Sequence, residues 1–276
     1  MKKYFISLAA IVVGATISCK KDNDALQPPD LPAPIDDART VLLKEVVVQS
    51  LPSPYFHFTY DSLKYVTQIN FASGFSIYSV EYENKRVKKM TNFITGSSIL
   101  YSYSNNHVSE INEFSASTGD KKFCYKLFYN SGNQLVQILW FEFFSNSNGE
   151  LYKKSELACH TDGNLAEIDH HFRTSPGQLS LGKKEKFSNY DNKTNVDDFY
   201  LIEDFFDTYL FLPQVKLQRN NPQRQQISGT SNDYDIVYTY DYQNDLPVKR
   251  TGMVTQTGRN GGGVQPIQIT HMYNYY

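Results

Sequence analysis

Leu127-Phe128-Tyr129-Asn130-Ser131-Gly132-Asn133-Gln134-Leu135-Val136-Gln137-Ile138 reads as the end of one strand, a polar turn and the start of the next. Tyrosine and phenylalanine suit a pleated, half-buried surface. Asn130 can hydrogen-bond to backbone two residues on, and Gly132 tolerates positive φ, so Gly132 is expected in the left-handed region. Leu135 restarts the apolar pattern, which predicts a hairpin with Tyr129 and Leu135 facing each other across the pair.

The pattern recurs along the chain. Phe58-Thr59-Tyr60-Asp61 precedes Val66 and Ile69, and Val80-Glu81-Tyr82-Glu83-Asn84 precedes Val87 and Met90. Tyr101-Ser102-Tyr103-Ser104-Asn105 precedes Val108 and Ile111, and Tyr238-Thr239-Tyr240-Asp241 precedes Leu246 and Val248. In Cys159-His160-Thr161-Asp162-Gly163-Asn164, ahead of Leu165 and Ile168, Cys159 takes the tyrosine's place. Each copy is one hairpin that cannot bury its own apolar face and must lie against its neighbours. Alternation agrees: Tyr78, Val80 and Tyr82 share one face, and Phe123, Tyr125, Leu127 and Tyr129 share a face opposite Lys126. The predicted fold is all-β, an antiparallel meander of roughly a dozen strands curled into a barrel-like sheet. Lys126 and the acidic residues of the outer faces argue against a lipid-facing wall.

These repeats resemble the tyrosine-aspartate repeats of large bacterial shell proteins. They resemble more closely a group of Bacteroidetes lipoproteins carrying a domain of unknown function with a porin-like β fold. Tyr190-Asp191-Asn192-Lys193-Thr194-Asn195, and then Asn220-Asn221-Pro222, carry that second resemblance, which covers roughly residues 55–276. It implies a fold and an envelope location, and no catalytic residues.

The N-terminus divides the chain further. Lys2 and Lys3, an apolar run from Tyr4 to about Ile17, and Ser18-Cys19 describe a secretory signal over residues 1–18. The run is short for a bilayer, which takes ~20 apolar residues. Cys19 after a small residue resembles a lipoprotein cleavage site, with Thr16 where that family has leucine. The resemblance implies a lipid on Cys19 and anchorage to the bacterial outer membrane, facing the periplasm or the surface. Residues 19–39, proline-rich from Pro28 to Pro34, form a tether, and residues 40–276 a single β domain opening on the β-branched Val41–Val48.

The period changes between about Asn195 and Leu212. Phe199, Ile202, Phe206 and Tyr209 fall at helical spacing, Asn195 can cap, and Pro213 ends the run, which predicts one amphipathic helix at 195–212. Residues 218–232 read as a polar loop, and strands resume at Tyr234–Tyr240, Val248–Thr257 and Gln265–Tyr275.

Chemistry is sparse. The net charge of −2 gives no electrostatic footprint for nucleic acid. Cys124 and Cys159 lie on strands two apart, about 9.6 Å, beyond the ~7 Å reach of a disulfide, and are expected as separate thiols. His170 and His171 point to opposite faces of one strand, and with His160 they match no zinc spacing, so no metal or other cofactor is expected. Glu203, Asp204 and Asp207 share a helical face, where solvation is the simpler reading than a glycosidase pair. Tyr209, Phe211, Tyr273, Tyr275 and Tyr276 are candidates for an aromatic platform that stacks on sugar rings, although most such residues belong to cores. The reading is a non-enzymatic, envelope-anchored binding module for a glycan or an envelope partner. A structural or interaction shell is the alternative, with a glycan-active hydrolase behind both.

Overall fold

The computed structural model describes residues 37–144, 148–196, 211–229, 233–258 and 265–276. Cys19 and most of the tether lie outside these residues. So does most of the expected helix, with Glu203, Asp204, Asp207 and Tyr209.

Sixteen antiparallel strands, each hydrogen-bonded to its sequence neighbours, close into a barrel. The first half holds β1 (Leu43–Val48), β2 (Phe56–Tyr60), β3 (Val66–Phe71), β4 (Ser76–Glu83), β5 (Arg86–Asn92), β6 (Ser98–Ser104), β7 (His107–Phe114) and β8 (Lys121–Tyr129). The second holds β9 (Leu135–Glu142), β10 (Glu150–Cys159), β11 (Leu165–Ser175), β12 (Gln178–Tyr190), β13 (Pro222–Ser228), β14 (Tyr234–Gln243), β15 (Leu246–Gln256) and β16 (Ile267–Tyr275). β16 pairs with β1, so no strand edge is left open. The count exceeds the expected dozen. One of the extra strands, β13, falls in the stretch expected as a loop. Its sequence has one β-branched residue, Ile227, and no aromatic to mark a strand, and pairing on both sides with β12 and β14 makes it one.

The opening hairpin forms with Tyr129 opposite Leu135. Asn130 Oδ1 accepts the Gly132 and Gln134 N–H groups at 2.9 and 3.0 Å. The left-handed seat is corrected by one residue: Asn133, with φ 61°, occupies it, and Gly132 does not. Lys64 and Gly163 hold the same seat in two other copies of this loop, each donating its N–H three residues back, to Asp61 and His160. Shorter copies turn on Asn84-Lys85, Asn105-Asn106 and Asn244-Asp245, where positive φ at both residues gives the mirror-image turns that match strand twist.

The recurrent tyrosine has a definite task. Near the end of seven of the eight even-numbered strands its hydroxyl donates to a carbonyl at or near the start of the preceding strand. The pairs are Tyr60–Leu43, Tyr82–Val66, Tyr103–Val87, Tyr129–Val108, Tyr190–Leu165, Tyr240–Pro222 and Tyr275–Pro247. Burial pushes the phenols of Tyr60, Tyr82, Tyr103, Tyr129 and Tyr190 up, Tyr60 to about 12, so they stay protonated and donate. Cys159 ends the eighth, β10. A register shift falls just before Tyr60, Tyr82, Tyr103, Tyr129 and Cys159 alike, so the bulge belongs to the repeat.

The two ends of the barrel differ. At the tyrosine end the described chain begins at Asp37, whose carboxylate accepts the Val87 N–H at 2.7 Å and pairs with Gln214. Phe211, Leu212 and Val215 join the core there, and the Phe211 carbonyl accepts the Tyr101 hydroxyl at 2.9 Å. At the loop end, the connections after β1, β3, β5, β7 and β11 carry one formal charge between them, on Asp120.

Candidate functional site

Parity along β10, β11 and β12 turns Ser155, His170 and Glu185 inward, beside the apolar Leu157, Ile168 and Phe187. Ser155 Oγ lies 2.9 Å from His170 Nδ1, and His170 Nε2 lies 3.2 Å from Glu185 Oε1. Lys183 Nζ reaches the same oxygen at 2.8 Å, and Gln225 Nε2 donates to Glu185 Oε2 at 2.7 Å. The Tyr238 hydroxyl donates to Gln225 Oε1 at 2.6 Å, and the Arg250 guanidinium lies 5.2 Å from the Tyr238 ring.

The charges follow from the surroundings. Burial pushes the Glu185 carboxyl up, but the His170 hydrogen bond and the Lys183 charge outweigh it and hold the group at about 2. Burial, aided by the Lys153 charge, lowers His170 against the pull of Glu185. The imidazole is therefore neutral at pH 7. A carboxylate can only accept, so Nε2 carries the proton and Nδ1 accepts from Ser155. Serine, histidine and glutamate in hydrogen-bonded series have the composition of a hydrolytic triad. Ser155 and His170 are each 1% exposed, which denies a substrate the approach a nucleophile needs. The series acts as an internal relay that satisfies polar groups the barrel has buried.

Four residues of the candidate aromatic platform are described, and Tyr209 is not. Phe211 and Tyr273 are buried core residues, and Tyr275 is half-buried, spending its hydroxyl on Pro247. Tyr276 is exposed, stacked edge-on against Tyr60 with Lys44 5.7 Å from its ring. Tyr273 is buried because β16 closes the barrel, and a closing strand has an inner face to bury. Cys124 and Cys159 are free thiols. His170 and His171 do part to opposite faces, His171 pairing outside with Glu156 at 3.1 Å. His160 Nε2 lies 3.0 Å from the Phe187 carbonyl.

Exposed aromatics gather instead at the loop end. Phe75 follows the single turn of 3-10 helix Ala72–Gly74, and Phe93 and Ile94 follow β5. They are 75%, 59% and 60% exposed. The Phe93 N–H donates to the Ile77 carbonyl at 2.7 Å, which sets the two loops side by side.

The chain's similarities are of fold. A porin-like protein from Bacteroides vulgatus is 12% identical, with 86% of this chain and 99% of that one covered at a TM-score of 0.56. A porin-like protein from Bacteroides uniformis is 14% identical, with 80% and 89% covered at 0.54. The fold is porin-like. No protein-family model matches the chain, and no curated protein matches it in sequence.

Across β3 to β9 the polarity of the wall is the reverse of a pore's. A membrane barrel turns apolar residues to lipid and polar residues to its lumen. Here Ile69, Val87, Met90 and Ile111 face inward at 0% exposure. Outward, the paired row Ser102, Glu110, Lys126, Leu139, Lys154 and His171 crosses six strands, and Glu167, Asp169 and Lys184 continue the charge in ion pairs.

Sequence reasoning missed Ser155 and Glu185 and gave His170 no partner. The available signal was parity: all three fall on the same beat as the apolar Leu157, Ile168 and Phe187.

Proposed function

We propose that this chain is a non-enzymatic, envelope-anchored interaction module, held to the bacterial outer membrane by a lipid on Cys19 and acting through contact with a glycan or an envelope partner. The polarity of the barrel supports this reading best. A buried apolar inner face across β3 to β9 with a charged outer wall suits a rigid, water-exposed scaffold, and such a scaffold works through its surface and loops. The same buried inner face favours a structural or interaction-shell role as the second reading. Catalysis ranks last, because the triad-like series among the described residues is sealed from solvent.

Metabolic labelling with palmitate tests the anchor: incorporation is expected in the wild-type chain and its loss in Cys19→Ala, and a label that persists in the variant would overturn it. A glycan array and an envelope pull-down with the purified chain test the module. Saturable binding with the glycan recovered intact is expected, and turnover of the glycan would reverse the order of readings.

A further inference from the structure

The loop end carries an inference beyond the anchored module. The backbone N–H groups of its two aromatic tips are all provided for. The Ala72 and Ser73 N–H groups donate to the Tyr55 and Pro54 carbonyls, and Phe75 N–H to Ala72. The Gly74 N–H donates to Asn70 Oδ1 at 2.7 Å. In the neighbouring loop Phe93 N–H goes to Ile77 and Gly96 N–H to the Asn92 carbonyl. The N–H groups of Ile94 and Thr95 share Asn92 Oδ1 at 2.8 and 3.1 Å, and Ser97 N–H reaches Thr95 Oγ1 at 3.3 Å. Every donor of residues 72–75 and 93–97 is thus spent inside the protein.

The polar side chains are spent too. Asn70 and Asn92 cap backbone, Ser73 Oγ donates to Ser53 at 3.1 Å, and the Thr95 and Ser97 hydroxyls lie 2.9 Å apart. What projects is apolar: Phe75, Phe93 and Ile94, with no formal charge in either loop. A sugar needs donors as well as acceptors, and these loops have no N–H to spare. The interface of a bilayer suits the opposite arrangement, spent N–H groups behind greasy leading side chains.

We propose that the loop end is a membrane-docking tip, with Phe75, Phe93 and Ile94 entering the interfacial layer of a lipid bilayer. The loops of residues 72–75 and 93–97 carry no cation, so they take zwitterionic lipid as readily as anionic lipid. It stands at the opposite end of the barrel from Asp37, where the described chain begins, and is a contact separate from any lipid on Cys19.

The test is flotation of the chain from Lys20 onward with phosphatidylcholine vesicles, with and without phosphatidylglycerol, at low and high salt. That chain lacks the lipidated cysteine and keeps the whole closed barrel, so the result is independent of the anchor reading. Wild type is expected to float with phosphatidylcholine alone, unaffected by phosphatidylglycerol or salt. Phe75→Ser/Phe93→Ser/Ile94→Ser is expected to partition about tenfold less or weaker. Leu63→Ser, at an exposed apolar site on the tyrosine end, is expected to bind as wild type. The three tip side chains are exposed, so an unchanged melting temperature confirms folding; Phe75→Ser alone serves if the triple variant is unstable. Failure of wild type to float, binding that needs phosphatidylglycerol, equal binding by the tip variant, or tip-dependent binding to a glycan or a protein without vesicle binding would each overturn the proposal.

Discussion

Tyr103 shows what one residue of the repeat contributes. Its hydroxyl donates to the Val87 carbonyl at 2.8 Å, and its ring packs on the core beneath the Arg86 guanidinium, 5.1 Å away. Tyr103→Phe keeps the ring and removes the donor. The expected cost is about 1 kcal/mol by chemical denaturation, and a variant as stable as wild type would mean the clasp is decorative. Asn133 offers a second test. Its φ of 61° is comfortable for asparagine and glycine and strained for a β-branched residue. Asn133→Gly is expected within a few tenths of a kcal/mol of wild type, and Asn133→Val roughly 1–2 kcal/mol less stable. The Asn130 turn, the Tyr129–Leu135 pairing and the inward beat were all legible in Leu127–Ile138. The exact left-handed seat was not. Gly132 and Asn133 both tolerate positive φ, and the N–H of the seat residue, bonded back to the Asn130 carbonyl, selects between them.

Among elements, the strands β10 to β14 carry the polar relay, and the relay makes stability depend on acid. Both shifted groups act in one direction. Glu185 sits below its usual carboxylate range, so its contribution is present above about pH 4.5 and is lost as pH falls toward about 2. His170 is also lowered, and the unfolded chain takes up its proton first, near pH 6.5, so stability begins to fall there. Denaturation midpoints are expected to decline from about pH 6.5 downward. Glu185→Gln should flatten the part of that decline below about pH 4.5 and cost roughly 2–4 kcal/mol at pH 7, because Lys183 loses its counter-charge and His170 its charged acceptor. An unaltered acid profile in Glu185→Gln would remove Glu185 from the account. The relay was unreadable in sequence because its members are fifteen residues apart on three strands, and only the register brings Ser155, His170 and Lys183 into one row.

For the whole molecule, closure decides the behaviour. β16 holds both β15 and β1, so deleting Ile267–Tyr276 opens two edges at once. The truncated chain is expected to lose its cooperative melt and to aggregate on size exclusion; a monomer with the wild-type melt would contradict closure as the source of stability. The outer wall makes a second expectation. With charged rows facing outward the barrel should not conduct in planar bilayers, and stepwise ion conductance would refute the reading of its polarity.

The residues alone determined the repeat, its all-β character, the polar outer face and the inward aromatics, because a period of two and a turn signal are local properties of the chain. Tertiary structure decided the rest. Closure at sixteen strands depends on β1 meeting β16, more than two hundred residues away, and β13 exists only because two neighbours hold it. The burial of Phe211 and Tyr273, the sealed serine–histidine–glutamate series and the apolar loop end arise in the same way. Which side of a strand is inside, and which end of a hairpin meets solvent, are set by the wall the whole chain builds.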